Sequence, residues 1–339
     1  MVPSLALKDL ISDFRLRWAF APDVRKPNNN TRYQMVDGLL SAFSVFFMQS
    51  NSFLAHQRLM QSKKGRNNAA SLFRVERMPS DPQIRNLLDP LSATYFHADF
   101  WRLWDGLRAR QQLLKFRSEL GGYLVAMDGV THFSSEKISC PECLKRQDRE
   151  GVTHFYHSAI TPVLVKPGRK QVLPLPPEFI VPQDGHEKQD CERSASKRWL
   201  AEHAVRLALP TIYLGDDLYA NQPLCQSIVE TYHQSFIFVC KPDSHTGLYE
   251  FLAWLERQGT IATLSQRHWN GKHGEIWTYR FVNQVPLRNG DDAMSVNWCE
   301  LVITHETSGE TLYHNAFVTN IAITTENVPA IVEAGRTRW

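Results

Sequence analysis

The sequence predicts an α/β fold: a mixed β-sheet with flanking helices, preceded by a helical region and interrupted by a β-rich one. Three observations carry this expectation. The first is a pair of matching stretches. Gly122-Tyr-Leu-Val-Ala-Met-Asp-Gly-Val130 runs apolar from Tyr123 to Met127 and ends in Asp128, and Thr211-Ile-Tyr-Leu-Gly-Asp-Asp217 repeats the design. A short apolar run closed by a turn signal reads as a buried strand. A carboxylate at its end belongs at the rim of the sheet, because an unpaired charge is costly to bury. Taken singly, each Asp could equally start a turn or cap a helix. The second observation is the order of elements after Asp128: strands at 153–166 and 171–181, a helix at 191–207, the Asp216 strand, a helix at 222–233 and a strand at 235–241. Such an alternation builds one sheet with helices on its faces. The third is a change of texture at Gly121, before which apolar residues recur at helical spacing.

Composition sets the class. Of 339 residues, 43% are hydrophobic and 22% charged, the proportions of a soluble globular protein. The length allows two domains, or one large domain with an insertion. The longest apolar stretch, Leu39 to Met48, is too short to span a bilayer, and the N-terminus lacks the basic-then-apolar pattern of a signal peptide. A cytoplasmic protein with no membrane partner is therefore expected. Six cysteines in a chain of this size do not make a disulfide scaffold, and Cys191, Cys225, Cys240 and Cys299 read as small core residues. The net charge of +3 is uneven: residues 1–120 hold 18 Lys and Arg against 10 Asp and Glu, so the remainder is acidic. A basic part joined to an acidic body suggests polyanion binding in the first and metal binding in the second.

Residues 1–120 are expected to form a helical, basic, DNA-binding region. Leu5 to Trp18 is amphipathic, and Arg25 to Arg32 is a polar basic loop. One long helix is expected from Tyr33 to Met60, with Met35, Val36, Leu39, Leu40, Phe43 and Phe46–Phe47 at helical spacing. Gln61 to Asn68 reads as a basic loop carrying Lys63, Lys64 and Arg66. Ser80 or Asp81 caps a helix that has Pro82 in its first turn. A last helix, His97 to Glu119, carries Arg102, Arg108, Arg110, Lys115 and Arg117. These cations suit a nucleic-acid backbone, and a plain solvated surface is the alternative.

Residues 121–258 form the expected catalytic core. Pro167-Gly168 is the hairpin turn between the strands at 153–166 and 171–181. Ahead of that hairpin, a polar loop carries Cys140-Pro-Glu-Cys143, followed by His154 and His157. Two cysteines and two histidines so spaced suit a structural Zn²⁺. His154 and His157, three apart on a strand, face opposite sides unless a bulge intervenes, and His132 is the other candidate for the set. The alternative is a reduced thiol pair; a redox pair would open a helix rather than sit in a loop. Gln183 to Asp190 leads into the helix at 191–207. Its acids Asp184, Glu187 and Asp190, with Glu192, either join the metal site or answer the helix dipole.

Residues 259–324 read as a β-rich insertion, with alternating runs at Glu275–Val282 and Trp298–Ile303 and turns at Asn289-Gly290 and Ser308-Gly309. His268, Trp269 and Lys272 occupy a glycine-containing turn of this block, and Lys272 is a further DNA-contact candidate. A helical pattern resumes within residues 325–339.

Together these features resemble the catalytic core of DDE transposases of bacterial insertion sequences, an RNase H-like fold interrupted by a β domain. Met127-Asp128-Gly129 is similar to the family's first acidic strand, and Gly215-Asp216-Asp217-Leu-Tyr-Ala-Asn-Gln-Pro223 to its second. Gln183-Asp-Gly-His-Glu-Lys-Gln-Asp-Cys-Glu192 is similar to the motif that opens the intervening helix in one subgroup, and the resemblance spans nearly all of residues 75–339. It implies metal-dependent DNA strand cleavage and transfer at insertion-sequence ends, in the bacterial cytoplasm and at the nucleoid, with double-stranded DNA as partner and a homodimer in the complex. It also implies a two-metal site of Mg²⁺ or Mn²⁺, with Asp128 bridging both ions and Asp216 holding one. The family's third ligand is a Glu on a late helix, four residues after an Arg. Arg338 matches that Arg, which puts the Glu past Trp339; Glu333 and Glu326 are the nearby substitutes, and Glu333 is better explained as an exposed helix residue. The expectation is a C-terminally truncated transposase with an incomplete site, whose helical segment at 325–339 begins the last catalytic helix. The alternative is a non-catalytic DNA-binding remnant or regulator.

Overall fold

The computed structural model describes residues 4–25, 32–182 and 191–338. The Gln183–Asp190 motif and most of the Arg25–Arg32 loop therefore lie outside the described residues. The chain divides into two compact units, Met1–Gln112 and Leu113–Trp339.

The first unit contains helices α1 (Leu7–Trp18), α2 (Met35–Phe47), α3 (Phe53–Gln61), α4 (Lys63–Phe73), α5 (Asp81–Leu88) and α6 (His97–Ala109). Ile11, Phe14 and Trp18 of α1 share a core with Val36, Leu39 and Leu40 of α2 and with Met60, Phe73 and Val75. The single helix expected from Tyr33 to Met60 is two helices. Gln49 takes a left-handed φ of 50°, and Ser52 caps α3 by accepting the Ala55 N–H at 3.1 Å, so the chain turns where periodicity alone reads on. The basic loop expected at 61–68 is also corrected, since it belongs to α4. Ser62 accepts the Gly65 N–H at 3.1 Å as its cap, and Gly65 packs so tightly on α3 that a Cβ would stand 2.6 Å from the Met60 Cα. The helix expected from His97 to Glu119 stops at Ala109, and Gln111 follows in a left-handed conformation with φ 57°.

The second unit contains β1 (Tyr123–Ala126), β2 (Gly129–Ser135), β3 (Leu144–Gln147), β4 (Thr153–Ile160), β5 (Val163–Val165), β6 (Leu173–Pro174), β7 (Glu178–Ile180), α7 (Glu192–Leu207), β8 (Thr211–Gly215), α8 (Gln222–Gln226), β9 (Ser235–Val239), α9 (Thr246–Arg257), β10 (Ala262–Trp269), β11 (Gly274–Pro286), β12 (Ser295–His305), β13 (Thr311–Thr319) and α10 (Val328–Arg336). Nine strands make one mixed sheet in the order β10-β11-β12-β13-β9-β8-β1-β5-β6. β1, β8 and β9 run parallel to one another, and the other pairs are antiparallel. Alternation along β1, β8 and β9 sends Leu124, Ala126, Ile212, Leu214, Ile237 and Val239 into a core with Val328, Ile331 and Val332 of α10. On α7, Trp199 stacks edge-on against Tyr213 of β8 and donates its Nε1–H to the Pro176 carbonyl at 2.7 Å.

The stretch 153–166, expected as one strand, is two strands in different sheets. Pro162 has no N–H to offer a ladder, and the Thr161 N–H goes instead to the Asp128 carbonyl at 3.0 Å. The next stretch, 171–181, is likewise divided into β6 and β7 by Pro176 and Pro177. β4 pairs with β2, β3 and β7 to make the second sheet. The β-rich block at 259–324 supplies β10–β13, and β13 pairs with β9, so these strands extend the central sheet. Among the described residues no helix is long and apolar enough to cross a membrane.

Candidate functional site

The parallel pairing of β1 and β8 aligns the two acidic stretches. Ala126 lies opposite Leu214, and the Met127 N–H donates to the Leu214 carbonyl at 2.8 Å. Two residues further along the same register, Asp128 and Asp216 leave neighbouring strands at the same rim of the sheet. Gly215 lets the chain fold back immediately: a Cβ there would stand 2.7 Å from Tyr219 Cγ. Asp216 Oδ1 accepts the Leu218 N–H at 2.9 Å. The adjacent Asp217 has a different task. It accepts the Lys241 N–H at 2.6 Å and lies 3.4 Å from His245 Nε2, which latches the loop after β8 to the loop after β9.

Glu192, the first residue of α7, joins the two aspartates. Its carboxylate rests on Gly129, where any Cβ would collide with it. Burial pushes the Glu192 carboxyl above its ordinary range, and the charges of Asp216 and Asp128 push it further. Sequence reasoning left Glu192 open between metal ligand and helix-end acid. The structure places it with Asp128 and Asp216, through a contact to Gly129 that lies 63 positions away and has no local signal. Arg338 faces the same acids: its side chain is 2% exposed, and Nη1 stands 4.0 Å from Asp128 Oδ1. Burial draws the Arg338 pKa down, while the charges of Asp128 and Asp216 oppose that. Glu333 and Glu326 are exposed.

Three oxygen-donor carboxylates at one rim repel one another, and hard divalent cations such as Mg²⁺ or Mn²⁺ prefer such donors. Among the described residues, the donor atoms of these three do not all lie within 4.8 Å of one another. A divalent ion would therefore have to draw the carboxylates closer, and the Arg338 guanidinium is the positive charge that faces them.

The second sheet gathers part of the Cys/His set. Cys140 Sγ and Cys143 Sγ are 3.6 Å apart, and each lies 3.3 Å from His157 Nε2. His154 is not brought to them; its Nε2 bonds Asp148 Oδ2 at 2.9 Å, as the two-residue period of a strand requires. His132 sits at a register shift in β2, its ring 5.9 Å from that of His157 and inclined to it by 24°.

The DNA-contact candidates are dispersed. In the first unit Lys64 and Arg66 are exposed on α4, and Arg108 is exposed on α6. Arg66 Nε donates to the Gln61 carbonyl at 2.9 Å, and the Lys63 side chain lies outside the described residues. Arg102 makes a two-pronged pair with Asp13, at 2.7 and 2.8 Å. Arg110 is half-buried and donates to the Gly106 carbonyl at 3.3 Å. In the second unit Lys272 is exposed in the turn between β10 and β11. No protein-family model matches the chain, and no curated protein matches it in sequence.

Proposed function

We propose that the chain is a DDE-type DNA transposase, an RNase H-like polynucleotidyl transferase that cleaves and joins DNA strands at insertion-sequence ends. The observation that carries this reading is the register of β1 on β8, which delivers Asp128 and Asp216 to one rim from adjacent parallel strands. The order of elements supports it: a strand ending in Asp, two antiparallel strands beyond it, a helix, a parallel strand ending in Asp, then helix, strand, helix and a β block. The partner is double-stranded DNA, engaged by two copies of the chain in the bacterial cytoplasm.

In this reading Asp128 and Asp216 hold Mg²⁺ or Mn²⁺, and Glu192 is the third oxygen donor that the described residues bring to the rim. Such ions, when bound, activate the attacking oxygen and steady the leaving oxygen of phosphoryl transfer. The chain's own groups fix the geometry. The Leu218 N–H holds the Asp216 carboxylate in one orientation, and the Asp217 latch to Lys241 and His245 steadies the loop that carries it. The exposed cations Lys64, Arg66, Arg108 and Lys272 supply phosphate contacts.

A second reading, a DNA-binding relative that does not cut, is favoured by one observation: Arg338 already stands 4.0 Å from Asp128 as a positive charge at the rim. A cleavage assay separates the two. DNA carrying the repeats that flank the coding sequence is incubated with the chain in Mg²⁺ or Mn²⁺. Nicking that falls by about 10²-fold or more in Asp128→Asn and Asp216→Asn supports the enzyme. Salt-dependent binding without nicking supports the second reading, and the absence of both overturns each.

A further inference from the structure

We propose that Cys140, Cys143, His157 and His132 bind one Zn²⁺ that clamps the second sheet next to Asp128. The distances set the case. Tetrahedral zinc with bonds of about 2.3 Å to sulfur and about 2.0–2.1 Å to nitrogen separates two thiolates by about 3.8 Å and a thiolate from a histidine nitrogen by about 3.6 Å. The observed 3.6 Å between the sulfurs and 3.3 Å from each sulfur to His157 Nε2 form that triangle, slightly contracted. None of the six cysteines is in a disulfide, so the close approach of Cys140 and Cys143 is not a covalent bridge.

Topology explains why these residues meet. β3 pairs with β4 so that Leu144 faces Tyr156; one step outward, Cys143 falls opposite His157. The turn that carries the pair is closed by Cys143 N–H donating to the Cys140 carbonyl at 3.1 Å and by Cys140 N–H donating to Cys143 Sγ at 3.2 Å. On the other side of β4, His157 pairs with Phe133, and the register slips between Thr131 and Phe133. A bulge sets two residues against one and turns both side chains toward the same partner. His132 is therefore re-aimed onto the face of His157. Its ring nitrogens are not within 4.8 Å of all three donors, and the proposal has a side-chain rotation carry one of them to the fourth position. His154, on the opposite face and bonded to Asp148, is excluded.

The clamp has a place in the fold. β2 begins at Gly129, directly after Asp128, and β4 ends at Ile160, directly before Thr161, whose N–H holds the Asp128 carbonyl. Zinc partway along this ribbon fixes the two strands that leave the acidic rim. The proposal does not depend on the transposase reading, because its test needs no DNA.

The full chain is purified without added metal, its zinc content measured by elemental mass spectrometry, then stripped with a chelator and titrated with Zn²⁺ alone. One zinc per chain is expected, with uptake lost in Cys140→Ser, Cys143→Ser and His157→Ala and unchanged in His154→Ala. His132→Ala should weaken uptake by more than the about 10–100-fold that a ligand's supporting partner is worth. Should a cysteine variant fail to fold, the stripped wild-type chain and the two histidine variants decide the matter. A folded wild-type chain that takes up no zinc overturns the site. Full affinity in His132→Ala together with loss in His154→Ala overturns the ligand set.

Discussion

Arg338 and Asp128 form a half-sheltered ion pair: the guanidinium Nη1 lies 4.0 Å from the carboxylate Oδ1, with the arginine side chain 2% exposed and the aspartate side chain 46% exposed. The pair offsets repulsion among Asp128, Asp216 and Glu192. Replacing Arg338 by Met should therefore lower stability at pH 7.5 by about 1–2 kcal/mol. That is less than a fully buried pair would lose, because water screens Asp128. Thermal melts without and with Mg²⁺ check this. The variant should regain more stability from Mg²⁺ than the wild type does, and equal gains would contradict the role given to Arg338.

Glu192 should make the stability of the second unit depend on pH in a defined sense. Its carboxyl is raised above the ordinary 4.5, so the folded state binds its proton more tightly than the unfolded chain. Nothing is lost while both states are protonated. As pH climbs from 4.5 through the raised value, ionisation costs the folded state and stability falls. Glu192→Gln removes that cost. Melting temperature at pH 7.5 without divalent ions should rise, by about 2–4 °C for each kcal/mol recovered, with little change at pH 4. A rise of equal size at both pH values would mean that repulsion is not the cause.

Gly215 is a packing requirement. A methyl group there meets Tyr219 Cγ at 2.7 Å and Cβ at 2.8 Å, and Phe238 Cδ1 at 3.1 Å, all on buried side chains. Gly215→Ala should cost about 1–3 kcal/mol in urea denaturation. Because Asp216 follows directly, Mn²⁺ affinity should fall as well. Unchanged urea midpoints would show that Tyr219 moves aside freely.

Trp199 anchors α7 on the sheet and holds the Pro176 carbonyl. Trp199→Ala should cost about 3–5 kcal/mol, with Trp199→Phe retaining most of the packing and losing the hydrogen bond. Equilibrium unfolding of the two variants, with a clear gap between them, checks the order.

The two aspartates were legible because their signal is local: an apolar run, an acid and a glycine within nine residues at Gly122–Val130. The separation of His154 from His157 was legible for the same reason, since strand period is a property of neighbours. Glu192 was not, because its position depends on a glycine distant in the chain that lacks a side chain to obstruct it. α4 was hidden by its polar sequence, although its Ser62 cap stood in plain view. The split of residues 153–166 turns on one proline, Pro162, that a count of apolar residues passes over.

The pairing of β13 with β9 gives the β-rich block a second significance. Ile237, Phe238 and Val239 on β9 spend their outward hydrogen-bonding groups on Thr319, Val318 and Phe317. A chain trimmed of residues 259–324 would present that apolar strand as an unshielded border, the kind of surface on which copies of a protein polymerise side by side. The block thus works as a selvedge, finishing the woven sheet where it would otherwise fray into aggregates.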